Sequence, residues 1–199
     1  DWVAVSCEGE GARIWWPNKD HITAEGDSVR MAYTVPSNMV AVGNGTLRNI
    51  ITKDEKSTYE WFVSNPINNY NISVQIGNYV AVQDTLIKDD KVHYMNHYVL
   101  DYNSELASNY FTQSKEIIRF YEKYFGDYQW YEDGYKLIEV PYLGMEHQSA
   151  VTYGNGFSIY NGVRSKSWPM YGVIDPLIIH ETGHEWFGNS VTASDPTHI

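Results

Sequence analysis

The chain has 199 residues, 43% of them hydrophobic and 15% aromatic, which supplies apolar side chains for one large packed domain or two small ones. A formal charge of −11 without any basic run excludes a surface built for nucleic acid, and Cys7, the single cysteine, excludes an internal disulfide. No stretch approaches a membrane span, and the opening "DWVAVSCEGEG" lacks the basic and apolar regions of an export signal; an exported protein would carry that signal upstream of Asp1 or have lost it, so the compartment stays open.

Along the chain, five runs rich in Val, Tyr, Ile and Trp come first, at 28–36, 38–47, 58–64, 72–83 and 91–100. They alternate and are bounded by Asn, Gly, Pro or Asp, which predicts an antiparallel β-rich domain over residues 1–102. The texture then changes. "SELASNYFTQSKEIIRFYEKYFG" (104–126) carries apolar residues at a helical period, with Ser104 as a candidate N-cap and Gly126 as a stop, and it opens a second domain over 103–199. Short strands are predicted within 135–144, 149–154 and 157–162, so the fold class is α+β. Trp15, Trp16, Trp130 and Trp168 read as packing residues rather than a sugar platform.

The last predicted helix has a clear start. Asp175 can cap the first free N–H groups, and Pro176 at the first helical position has no N–H to leave unpaired. Further along, His180 and His184 are four residues apart and share a face, where two imidazoles can reach one metal ion. Glu181 stands beside them as a carboxylate able to take a proton from a metal-activated water. The pentapeptide alone leaves two readings open: a hydrolytic zinc site, or a buried helix whose histidines hydrogen-bond within a core. A zinc site of this kind also needs a third protein ligand and an open position for water.

The flanking residues separate these readings. "HETGHEWFGNSVT" (180–192) resembles the metal helix of the gluzincin aminopeptidases, the aminopeptidase N family or peptidase family M1. Upstream, "YLGMEHQSAV" (142–151) is similar to that family's Gly-x-Met-Glu-Asn exopeptidase motif, with Leu143 in place of its first Gly and His147 in place of its Asn. "SCEGEGARIWWPNKD" (6–20) resembles the segment that supplies a further amine-binding residue, here Glu8 by position.

The resemblance implies a fold and a set of roles. The fold would be the latter part of a saddle-shaped N-terminal β domain followed by the first part of a thermolysin-like zincin catalytic domain. His180 and His184 would bind Zn2+, and Glu181 would be the general base. Glu146 and Glu8 would hold the free α-ammonium of a peptide substrate, with Gly144 a backbone contact and Met145 and His147 lining the same subsite. Glu185 reads as a polar helix residue rather than a second base. In the family the third ligand is a glutamate on the next helix, expected here just past Ile199, and a transition-state tyrosine lies further on. The chain is therefore expected to be a piece that needs the remainder of its catalytic domain and is inactive, holding zinc weakly, by itself. The implied activity is a zinc aminopeptidase acting on peptides or small proteins with a free N-terminus. A zincin endopeptidase, an epoxide hydrolase of the wider family and a catalytically silent peptide-binding relative are the alternatives.

Overall fold

The computed structural model of the chain describes residues 2–8, 11–19, 21–157 and 174–194. In chain order the elements are β1 (Val3–Ala4), α1 (Ala12–Trp15), β2 (Glu25–Gly26), β3 (Val29–Pro36), β4 (Val40–Gly43), β5 (Thr46–Lys53), β6 (Lys56–Val63), β7 (Ile67–Asn68), β8 (Val74–Gly77), β9 (Tyr79–Lys88) and β10 (Lys91–Leu100). There follow α2 (Ser104–Tyr110), α3 (Gln113–Phe125), β11 (Leu137–Glu139), β12 (Gly144–Met145), β13 (Val151–Tyr153) and α4 (Pro176–Gly183). The fold is α+β, with the longer strands before residue 102 and the longer helices after it. The strand predicted over 157–162, apart from Phe157, and Trp168 lie outside the described residues.

Two long hairpins dominate the first half. β5 turns into β6 through Asp54–Glu55, and β9 into β10 through Asp89–Asp90, with φ of 49°, 59°, 49° and 60° at these four residues. Left-handed backbone at both central positions matches the twist of the flanking strands, and Asp tolerates it through its short polar side chain.

β10 is the pivot of the molecule. It pairs antiparallel with β9 along its whole length and parallel with β11 at Tyr98↔Ile138, and the sheet continues through β13 to β12. One five-stranded mixed sheet thus joins strands from before and after residue 102. The end of β10 is buried on both faces, because side chains alternate across a strand. Met95 and Val99 pack with Leu86, Tyr110, Phe111, Ile118 and Ile178 beneath the helices. Tyr98 and Leu100 pack with Val42, Trp61 and Val74 of the first half. Lys136, 4% exposed, donates to Gly45 O (2.7 Å) in the first half and to Ser149 O (2.8 Å) in the second. Asp133 accepts from the backbone and side chains of Ser64 and Asn65 across the same join.

The helix predicted over 104–126 is two helices. Around the break, Thr112 Oγ1 donates to Asn109 O, Gln113 Nε2 to Tyr110 O and Ser114 Oγ to Phe111 O, so side chains take carbonyls that a continuous helix would use. Ser104 is the first helical residue, not the cap. Gly126 does end α3, at φ 97°.

Candidate metal centre

The histidine-bearing helix α4 is anchored at its first turn. Asp175 is the N-cap: its Oδ1 accepts from Leu177 N at 2.8 Å, as the sequence predicts. Beyond that prediction, Asp175 Oδ2 accepts from Tyr110 OH (2.5 Å) and Tyr153 OH (2.9 Å), and Asp175 N donates to Gln113 Oε1 (2.6 Å). Asp175, buried, thereby ties the start of α4 to α2 and β13 through its carboxylate and to α3 through its backbone N. Further along, Tyr121 donates to Ile179 O (3.0 Å) and stacks on Trp186 at 5.1 Å between centroids. Residue 183 has to be glycine there, since a Cβ would stand 2.5 Å from Tyr121 Oη.

α4 ends at Gly183, leaving His180 in its last turn and His184 as the C-cap. The two Nε2 atoms are 3.3 Å apart. Two nitrogens bound to one zinc at about 2.0–2.1 Å, with a tetrahedral angle between them, would also lie about 3.3 Å apart. His184 Nδ1 lies 2.9 Å from Phe187 O, a contact that fixes the tautomer with Nε2 free to coordinate. Burial, and then the nearby His184, hold the His180 imidazole below its ordinary pKa, favouring the neutral ring a metal requires. A Glu181 carboxylate oxygen and a ring nitrogen from each histidine all lie within 4.8 Å of one another, the one such cluster among the described residues. This donor set fits a zinc ion.

Three carboxylates converge on the site. Glu8, Glu146 and His184 line one cleft of about 350 Å³, together with Ile22, Tyr70 and Phe187. Burial pushes the Glu181 carboxyl up to about 8, and the charges of Glu146 and Glu8 push it the same way. Burial likewise raises Glu146; its own backbone N–H and His184 pull it back, and Glu8 adds to the rise. A cleft that repels its own negative charges is matched to cations. Tyr70 Oη lies 3.5 Å from Glu146 Oε1, long for a hydrogen bond between oxygens.

The remaining residues singled out in the sequence divide. Gly144 sits on β12, against the Glu181 side chain. Met145 is buried against Cys7 and Tyr70 and does not line the cleft. His147 requires a correction. Expected to line the substrate subsite, it is fully buried, does not line the cleft, and both ring nitrogens lack a hydrogen-bond partner among the described residues. Glu146 and His147 follow the end of β12, where the Glu146 side chain lines the cleft and the His147 ring is buried in the core. Glu185 is buried and fully engaged, accepting from Ser149 N (2.8 Å) and Asn189 Nδ2 (3.2 Å), in keeping with a structural residue. Tyr70, Asn71 and Asn189 were not assigned roles from sequence; only Asn189 carried a signal, as part of the quoted "WFGN" run.

A paired-histidine helix beside a short strand at the end of a mixed sheet, with a glutamate between the histidines, is the arrangement that the resemblance to a zincin catalytic domain predicts. Residues 110–199 match the family described as the peptidase family M1 domain. Over those residues the chain is similar to that family. Among solved structures it is similar to an M1 zinc metallopeptidase from Deinococcus radiodurans, at 17% identity and TM-score 0.78 over 98% of this chain and 41% of the other. A mutant of that metallopeptidase matches at 16% identity and TM-score 0.78, over 98% and 42% of the two chains. A further mutant structure, bound to a Tyr-Ser-Ala substrate, matches at 16% and TM-score 0.74. The chain thus spans about two fifths of the length of the solved structures it matches. A comparison with curated proteins finds no match. No helix of the described residues is long and apolar enough to cross a membrane.

Proposed function

We propose that the protein of which these residues form part is a zinc-dependent aminopeptidase, removing residues from the free N-terminus of peptides. The observation that carries this reading is the convergence of Glu8 and Glu146 on the cleft that also contains His184. His180 and His184 hold the metal through Nε2, and the reading draws the third protein ligand, and with it the activity, from the remainder of a longer protein; the 199 residues alone would be inactive. Zinc, when bound, polarises the scissile carbonyl and lowers the pKa of water.

The protein's own residues do the rest. Glu181 takes the proton of the attacking water on a carboxylate oxygen and passes it to the leaving amine. Glu146 and Glu8 pair with the α-ammonium, measuring one residue from the amino terminus by charge-assisted hydrogen bonds. β12, at the end of its sheet in the described residues, offers Gly144 as a backbone partner for an extended substrate. An endopeptidase has no use for two carboxylates that block the path of a longer chain, and this favours the exopeptidase. A Tyr-Ser-Ala substrate on a structurally similar relative supports peptides as the substrate class.

The test uses the complete protein and Glu146→Gln. Loss of one charge-assisted contact, about 1.5–3 kcal/mol, should lower kcat/KM on free-amine peptides about ten- to over a hundredfold while zinc content stays unchanged. Equal turnover of free and N-acetylated peptides by the parent would defeat the reading.

A further inference from the structure

Asn189 bonds to the backbone of both functional residues, His184 and Glu146, at once. Its backbone N donates to His184 O (2.9 Å), and its side-chain Nδ2 donates to Glu146 O (2.9 Å) and to Glu185 Oε2 (3.2 Å). Its Oδ1 accepts from Asn71 Nδ2 (2.8 Å). Both N–H bonds of the amide and one lone pair are therefore used, at a residue only 5% exposed.

The segment that follows Glu146 is held by the same cluster. Glu185 accepts from Ser149 N, Asn71 Oδ1 accepts from Gln148 N (3.3 Å), and Asn44 Nδ2 donates to Gln148 O (2.7 Å) and to Asn71 O (2.9 Å). Ser149 adopts a left-handed φ of 59°, and its Oγ accepts from Gly45 N at 2.8 Å. A non-glycine residue persists in that conformation only where its surroundings hold it. None of Asn44, Asn71, Gln148, Ser149, Glu185 and Asn189 lines the cleft, yet together they link the end of the metal helix, the Glu146 segment and the first half of the chain.

We infer that Asn189 is a positioning residue that sets the distance between the histidine pair and the Glu146 carboxylate, and so the register of the substrate's amine relative to the metal. This rests on the aminopeptidase reading of the site. The chemistry requires the amide: an aspartate at 189 would turn acceptor oxygens toward Glu146 O and the Glu185 carboxylate, and alanine would leave both without their donor.

The probe is an L-amino acid hydroxamate and its N-acetylated form, which share the metal-binding group and differ in the ammonium. In the complete zinc-loaded parent the free form should bind about tenfold tighter or more. In Asn189→Ala and Asn189→Asp that preference should fall at least about fivefold, with zinc content and the Ki of the acetylated form unchanged. Asn71→Ser, which frees Asn189 Oδ1, should move the preference the same way by a smaller factor, and serves if the first variants do not fold. A parent without preference for the free amine overturns the aminopeptidase reading itself. A parent with the preference, and folded variants that keep it or that lose zinc and both ligands together, overturns the positioning role alone.

Discussion

Gly144 lies against the carboxyl of Glu181: a Cβ at residue 144 would stand 2.6 Å from Glu181 Oε1 and 3.0 Å from its Cδ. Strand β12 and helix α4 therefore meet where the proposed base sits. The absence of a side chain at 144 leaves the carboxylate its place.

Gly144→Ala should accordingly displace the Glu181 carboxylate and leave the fold intact, since the clash falls on the end of a flexible side chain. A shift of about 1 Å in a catalytic group costs on the order of a hundredfold. The expected result in the complete protein is kcat lowered tenfold to a hundredfold, with normal zinc content and thermal midpoint; a variant as active as the parent would show that the base tolerates the displacement.

Glu181→Gln and His180→Ala should separate proton transfer from coordination. The first keeps the shape of the site and both imidazoles, so zinc should remain stoichiometric while activity drops by about a hundredfold or more. The second removes one of the two nitrogens that stand 3.3 Å apart and should release the metal on dialysis. Metal analysis and peptide turnover on the same samples decide it; an active Gln variant would take the base role from Glu181.

Asp175→Ala tests the anchor of α4. It removes a helix cap and leaves the buried hydroxyls of Tyr110 and Tyr153 without their shared acceptor, a combined cost on the order of 3 kcal/mol. Asp175→Asn, which keeps a carbonyl oxygen, should cost clearly less. Urea unfolding of the complete protein measures both, and equal midpoints for Ala and parent would mean that the anchor contributes nothing.

His97 makes stability depend on acid. Its ring is 1% exposed, its Nδ1 accepts from Leu137 N, and burial lowers its pKa from 6.5 to about 4; Asp84 opposes that shift, and Lys115 and Lys136 assist it. Between those values the unfolded chain binds a proton that the folded one does not. Stability is therefore full above pH 6.5 and falls as pH drops toward 4, by about 1.4 kcal/mol per pH unit and about 3 kcal/mol in all. The buried His147, lowered by burial to about 3, adds to the slope over the same window. His97→Gln should flatten the pH profile by one proton's worth, whatever it does to stability at neutral pH; an unchanged slope would contradict the assignment.

Much of this was legible in the sequence wherever a local signal existed. Asp175–Pro176 marked the helix start, His180 and His184 the metal pair, and Gly126 the end of α3. What escaped was set by tertiary structure. β5 (Thr46–Lys53) was seen only at Thr46 and Leu47, because Ile50 and Ile51 are both about half exposed and the strand shows no alternation. The break after Tyr110 depends on three side-chain donors that each reach a carbonyl three residues back. The resemblance places His147 in the cleft by its position in the motif, and the turn that begins just after β12 buries its ring in the core instead. The Asn71–Asn189 contact spans 118 residues, and no local pattern encodes it.

Lys136 has a consequence of its own. Burial brings its pKa down to about 7, against the opposing pull of Asp133 and Glu185. An ammonium has three hydrogens and a neutral amine two, and the amine meets two carbonyl oxygens, those of Gly45 and Ser149. Loss of the third proton near neutrality breaks neither contact, so the tie between the halves of the molecule persists, as two neutral hydrogen bonds in place of charge-assisted ones. That neutral amine is a nucleophile on a residue only 4% exposed, at the wall of a cavity between the halves. Acylating reagents that modify surface lysines within minutes should reach it far more slowly, which makes its labelling a clock for the opening of the join.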